Sequence, residues 1–270
     1  MTYDVLGAGA LDYLPCHYGA SKLVFRGPRR DLGAPYVAFL GGTQTFGKFI
    51  EQPYPLKVEH LTGVTSVNLG QVNAGVEVYE QEAVVHEIAQ GARVTVVEVL
   101  GAVNASNLFY AVHPRRNDRF LRASRQLKQL YPEVDFTQFH FTQHLVSHLQ
   151  RIDADRFLLV RRMLQRGWIR RMRQLLKKLG GPVVLLRLGA DRSGNLRCGG
   201  IAPVTDNMID ALGPVFSACV EMPDNAGSGS GHMQGMVYNL LEEDAAKQLP
   251  GPEFHSDTAE TLSPVLDRLM

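Results

Sequence analysis

The sequence predicts an α/β fold, a doubly wound, flavodoxin-like parallel sheet of about five strands carrying a helical insertion. Three observations predict it. Five short runs rich in β-branched and aliphatic residues read as strands. Their near-continuous apolarity marks strands covered on both faces. Helical patterns lie between them, which is the β–α–β alternation of a parallel sheet.

The strand candidates, in order, are residues 36–40 (YVAFL), 65–69 (TSVNL), 94–100 (VTVVEVL), 182–188 (PVVLLRL) and 216–222 (FSACVEM). The gap between the third and fourth is too long for one crossover helix, so 102–181 reads as a helical insertion within a single α/β domain spanning 1–270. Its clearest helix covers 156–179. Phe157, Val160, Leu164, Trp168, Met172, Leu175 and Leu179 recur at spacings of three and four, with Arg162, Arg166, Arg170, Arg173 and Lys177 on another face. Gly180-Gly181-Pro182 stops it. No internal repeat is present, and GSGSG at 227–231 reads as a flexible loop.

Composition narrows the function classes. Of 270 residues 45% are apolar and 20% charged, so the chain can fold around its own core. Lys and Arg number 28 against 27 Asp and Glu, a net charge of +1, which sets nucleic acid aside as the partner of the whole protein. Charge is nevertheless segregated. Residues 151–179 carry ten bases against two acids, and 221–270 carry nine acids against two bases, so these segments either attract each other or have separate partners. The three cysteines, Cys16, Cys198 and Cys219, form no CxxC, which excludes a zinc ribbon and a disulfide framework. The first residues lack a basic stretch ahead of an apolar run, and no apolar run approaches the ~20 residues of a membrane span. A cytoplasmic protein without a cofactor or a metal is the expectation, its oligomeric state open.

The best address for a site is FLGGTQTFG, residues 39–47, which leaves a buried strand, turns on two glycines and presents Thr43 and Thr45. Ligands of open parallel sheets sit at the carboxyl ends of strands. The same stretch fits a phosphate loop, G-x-x-x-x-G-K from Gly42 to Lys48, with Phe49 where a magnesium-binding hydroxyl belongs. A turn that binds nothing is the third reading. Gly7-Ala8-Gly9 is too short a fragment for a dinucleotide fingerprint. Arg115, Arg116 and Arg119 follow the third strand and could clamp an anion; the plainer reading is a solvated helix start capped by Asn117 or Asp118. His140, His144 and His148 share a helix face but lack an H-E-x-x-H glutamate, and Cys198 has no histidine near it in sequence.

Gly41-Gly42-Thr43-Gln44-Thr45-Phe46-Gly47 resembles the first block, G-D-S-x-T-x-G, of the SGNH/GDSL hydrolases. Asn68-Leu69-Gly70 and Gly101-Ala102-Val103-Asn104 follow at the next two strand ends, and His255 heads a final amphipathic helix. The order of blocks spans most of the chain, which is also similar to an uncharacterised bacterial family. Departures are that Thr43 replaces the serine, Gly42 the aspartate, and Pro252 the aspartate three residues before the histidine. The resemblance implies an SGNH-like hydrolase or acyltransferase acting on a small-molecule ester, saccharide-linked esters included. Thr43 would be its nucleophile and His255 its base. The N–H groups of Thr43 and Gly70 and the side chain of Asn104 would hold the oxyanion. Asp257 or Asp224 could orient His255. The competing expectation is a non-catalytic anion- or nucleotide-binding protein using the Gly42–Lys48 loop, Lys48 itself, Arg115, Arg116 and Arg119. A histidine out of reach of Thr43 favours the second.

Overall fold

The computed structural model describes residues 10–190, 201–223 and 232–270. Strands β1 (Tyr36–Leu40), β2 (Thr65–Asn68), β3 (Val94–Glu98), β6 (Val183–Ala190) and β7 (Ala218–Pro223) form one sheet in the order β2-β1-β3-β6-β7. Every pairing in it is parallel. Two helices, α2 (Tyr54–Thr62) and α10 (Pro252–Asp267), cover one face, burying Val37, Phe39, Val94, Val96, Val184 and Leu186 beneath them. The alternate residues Ala38, Leu40, Val67, Val97 and Leu185 face the other layer, where α3 (Val76–Glu80), α4 (Ala83–Gly91) and α7 (Ala154–Leu179) pack. Both faces of each central strand are therefore dry, which is why the strands read as unbroken apolar runs.

Helix α7 keeps the phase its spacing predicts. Phe157, Val160, Leu164, Trp168, Met172 and Leu175 are buried, while Arg162, Arg166 and Arg170 are exposed. Asp153 caps it by accepting the Arg156 N–H at 2.9 Å. The Trp168 indole N–H donates to the Leu100 carbonyl at 2.7 Å, so the helix is tied to the chain leaving β3. Its arginines anchor neighbours: Arg171 pairs with Glu80 and, at 3.7 Å, with Glu77, both on α3, and Arg161 donates to the Ile201 carbonyl at 3.1 Å. Among the described residues it forms no ion pair with the acidic carboxyl-terminal segment.

The stretch 102–181 departs from the wholly helical insertion expected of it. It does contain α5 (Arg125–Leu130), α6 (Thr142–Ile152) and α7, but it opens with an antiparallel hairpin of β4 (Tyr110–His113) and β5 (Arg116–Ala123). The residues expected to begin a helix at Asn117 are strand. The reason is that Asn117 does not cap a helix of its own. Its Oδ1 accepts the N–H groups of Gly75 at 3.1 Å and Val78 at 2.9 Å, capping α3 from across the fold. His144 and His148 lie on α6 with their rings 4.9 and 5.1 Å from that of Phe139. No helix among the described residues is long and apolar enough to cross a membrane. Cys198, Asp224, Gly7-Ala8-Gly9 and the GSGSG run lie outside the described residues.

Candidate functional site at the carboxyl edge of the sheet

Thr43, Gly70 and Asn104 follow β1, β2 and β3 respectively, so all three stand at the carboxyl edge of one parallel sheet. Thr43 opens α1 (Thr43–Phe46), a single turn closed by Gly47 in the left-handed region at φ +75°. A buried carboxylate holds this turn. Glu98, the last residue of β3, accepts the Gly42 N–H at 2.7 Å, the Thr45 N–H at 3.3 Å and the Thr45 hydroxyl at 2.5 Å. Burial pushes the Glu98 carboxyl above the ordinary carboxylate range, and the Thr45 and Gly42 hydrogen bonds pull it back.

This arrangement removes the phosphate-loop expectation. Glu98 sits where a phosphate would have to be cradled by the Gly42 and Thr45 amides. The N–H groups of Phe46, Gly47 and Lys48 are spent on the carbonyls of Gly42 and Thr43. The Lys48 ammonium lies 3.4 Å from the Glu242 carboxylate and 4.4 Å from the centre of the Phe49 ring, so it is already matched.

Thr43 is joined to Asn104 by a residue that sequence reasoning missed. The Thr43 hydroxyl accepts the Asn73 N–H at 2.9 Å and donates to the Asn73 Oδ1 at 3.3 Å. Asn73 in turn receives the Asn104 Nδ2 on its carbonyl at 3.4 Å and donates its own Nδ2 to Asp118 on β5 at 3.4 Å. The Asn104 Oδ1 accepts the hydroxyl of Thr142, first residue of α6, at 2.6 Å. Asn73 has φ +56°, a conformation asparagine tolerates better than most side chains. The only sequence signal for it was the Asn-Ala-Gly turn at 73–75.

The other expected residues fall as follows. Gly70 is a place of close approach: its N–H donates to the Asn68 Oδ1 at 2.9 Å, and a Cβ there would stand 2.3 Å from the Phe46 nitrogen. With that N–H engaged, Gly70 offers an oxyanion nothing. His255 is buried in the first turn of α10 and lies against Tyr54, ring centres 6.0 Å apart. Its Nδ1 accepts the Tyr54 N–H at 3.2 Å. Burial first, then the positive charges of Arg26 and Lys57, pull its pKa down to about 3. Asp257 is exposed, on the opposite side of α10 from His255. Both hydrogen bonds of the Thr43 hydroxyl go to Asn73, and none goes to a histidine. All nine histidines of the chain lie within the described residues.

Arg115 and Arg116 are exposed at the turn of the hairpin. Arg119 stacks its guanidinium 4.3 Å from the centre of the Phe141 ring, one residue before Thr142, and its buried Nε has no hydrogen-bond partner. None of the three forms an ion pair among the described residues. The edge thus offers two amides and the Asp118 carboxylate beside three arginines with no carboxylate partner, while the hydroxyls of Thr43 and the buried Thr142 are engaged within the cluster.

Set beside known proteins, the whole chain, residues 1–270, matches the family described as "Domain of unknown function (DUF6473)". No curated protein sequence matches it significantly. Among solved structures it is similar to a lipase from a goat rumen metagenome, at 14% identity and a TM-score of 0.43 over 88% of this chain and 100% of that one. It is similar to an acetyl xylan esterase from the rumen bacterium Butyrivibrio proteoclasticus, at 11% identity and 0.44 over 91% and 66%. A putative platelet activating factor from Streptococcus pneumonia matches at 10% identity and 0.42 over 86% and 84%.

Proposed function

The chain belongs to the DUF6473 family of unknown function, and from the geometry of the sheet edge we propose that it binds an anionic, hydroxyl-bearing small molecule there, of the acidic-saccharide class. One observation carries this reading. The would-be nucleophile Thr43 is closed onto Asn73, the Thr142 hydroxyl is buried against Asn104, and His255 is sealed between α10 and α2, so the groups that remain open at the edge are amides, the Asp118 carboxylate and arginines. Amides recognise sugar hydroxyls in both directions, as donor and acceptor. Arg119, held over Phe141 and without a carboxylate partner, is placed to offer its terminal N–H groups to a carboxylate, and Arg115 and Arg116 add charge at the rim. Asp118 imposes a restriction: an anion must approach on the arginine side, leaving Asp118 to accept from hydroxyls.

Calorimetry with glucuronate, glucose and a sugar phosphate tests it. Glucuronate should bind and glucose should not. Arg119→Gln should weaken glucuronate about tenfold, the scale of one charge-assisted hydrogen bond. Equal affinity for glucose and glucuronate, or an unaffected Arg119→Gln, would overturn the reading. Tighter binding of the phosphate would keep the site and change the anion.

Ester hydrolysis stays as a second reading because Asn73 links Thr43 to a carboxylate, Asp118. On that route Asp118, rather than His255, takes the proton of Thr43 once a substrate displaces Asn73, and the side chain of Asn104 holds the oxyanion. It requires turnover of a short acyl ester that Thr43→Ala and Asp118→Asn each abolish, with no further loss in the double variant. His255→Leu would leave that turnover intact.

A further inference from the structure

A cavity of about 370 Å³ lies between β2, the start of α2 and residues 11–30, and shares no lining residue with the Thr43–Asn73–Asn104 cluster. Arg26 lines it. This guanidinium is 8% exposed and makes four hydrogen bonds, all to backbone carbonyls: Phe46 at 3.1 Å, Gly47 at 2.6 Å, and Ile50 and Glu51 at 2.8 Å each. Its Nε–H is left over, and no carboxylate pairs with it. The guanidinium also lies 5.2 Å from the centre of the Tyr13 ring, but a buried cation with no anionic partner is an expensive arrangement. Burial pulls the Arg26 pKa down to about 10. Ser66, also on the lining and 5% exposed, has an Oγ without a partner. The remaining charges differ in kind. Arg30 is neutralised by Glu59 at 3.0 Å. Asp12 and Glu51 are exposed at the mouth. Leu14, Pro55 and Leu56 supply apolar lining.

We propose that this cavity is a binding site for a small zwitterion with an apolar body, of the α-amino acid class. Its carboxylate meets the Arg26 Nε–H and the Ser66 hydroxyl, its ammonium faces Asp12 and Glu51, and its aliphatic side chain lies on Leu14, Pro55 and Leu56. A simple anion answers Arg26 but meets two carboxylates at the entrance. A simple cation answers the entrance but leaves Arg26 and Ser66 unmet. One ligand bearing both charges satisfies every polar group described here, and the cavity lies within the size range of small-molecule pockets.

Titration calorimetry on the full chain with L-leucine, N-acetyl-leucine and leucine methyl ester decides it. Leucine should bind at millimolar concentration or below, and each capped derivative, which lacks one charge, should bind at least about tenfold more weakly. Ser66→Ala should weaken leucine, and Leu56→Trp, which fills the cavity, should abolish it. Arg26 itself is a poor target because it holds residues 46–51 in place. No heat with leucine, equal binding of the capped forms, or parent-like binding by both Ser66→Ala and Leu56→Trp would each overturn the proposal. If Leu56→Trp fails to fold by circular dichroism, Ser66→Ala and the capped ligands carry the decision. Arg119→Gln should leave leucine binding unchanged, so failure at the sheet edge and failure in this cavity are read separately.

Discussion

Thr43 opens the turn that follows β1, and both hydrogen-bonding capacities of its hydroxyl are met by Asn73. A nucleophile needs a base in reach, and hydrogen-bond partners decide that before intrinsic reactivity does. The identity of Asn73 follows from its backbone, since at φ +56° a β-branched side chain is strained and glycine is not. Asn73→Gly should therefore keep the fold while weakening the acidic ligand. Asn73→Val should cost about 1–2 kcal/mol more in urea unfolding. Parity of the two in stability would show that the conformation is not maintained. Gly75 makes a harder demand, because a Cβ there would stand 1.6 Å from the Asn104 carbonyl oxygen. Gly75→Ala should separate the loops that follow β2 and β3, lowering both stability and affinity. Thr43 and Asn104 were legible because each follows a strand and a glycine. Asn73 was not, because one asparagine in a polar loop has no period, and only the fold brings it to Thr43.

Helix α10 shows what a helical wheel adds to a motif. Phe254, His255, Thr258, Ala259, Leu262 and Leu266 are its buried face, at spacings of three and four. His255 belongs to that stripe, so its place in the core was readable from periodicity, against the block order that suggested catalysis. Its depressed pKa fixes a sign. The unfolded chain binds a proton near pH 6.5, while the folded chain resists it down to about 3. Between these values the unfolded state carries the extra proton, so stability is fully present above pH 6.5 and is lost as pH falls, by about 1.4 kcal/mol per pH unit. Urea unfolding at pH 7 and pH 5 should show a drop that His255→Leu reduces by about 2 kcal/mol; an unchanged drop would place the imidazole in water. In α7 the apolar stripe named the buried face, and Trp168→Ala should cost about 3–5 kcal/mol, the indole–Leu100 hydrogen bond included. The β4–β5 hairpin was the element least legible. Arg116–Ala123 reads RNDRFLRA, too charged for a buried strand, and register shifts on β4 break the alternation that would mark a half-buried one. Its turn residues therefore looked like a helix start.

Across the whole molecule the sheet was read almost residue for residue, because strands buried on both faces leave continuous apolar runs whose ends fall at Gly, Pro or Asn. The site was read only in part, because it is assembled from separate segments that meet in space: α1 after β1, the loops after β2 and β3, the hairpin and the start of α6. That dispersion has a thermodynamic consequence. A ligand touching Thr43, Asn73, Asn104 and Arg119 at once joins chain segments spread over 76 residues, none of which holds this geometry alone, so it must prefer the folded state and stabilise it by mass action. At a hundredfold excess over Kd the gain is about 2.7 kcal/mol. For a chain of this size that corresponds to roughly 5–10 °C in Tm. Glucuronate should produce this shift in the parent and a smaller one in Arg119→Gln at the same concentration. Hydrogen exchange should slow together in residues 43–47, at Asn73 and along β5, since one ligand ties them. Protection confined to the hairpin would mean that the arginines hold the anion without engaging the sheet edge, and the acidic-saccharide reading would then lose its hydroxyl-binding half.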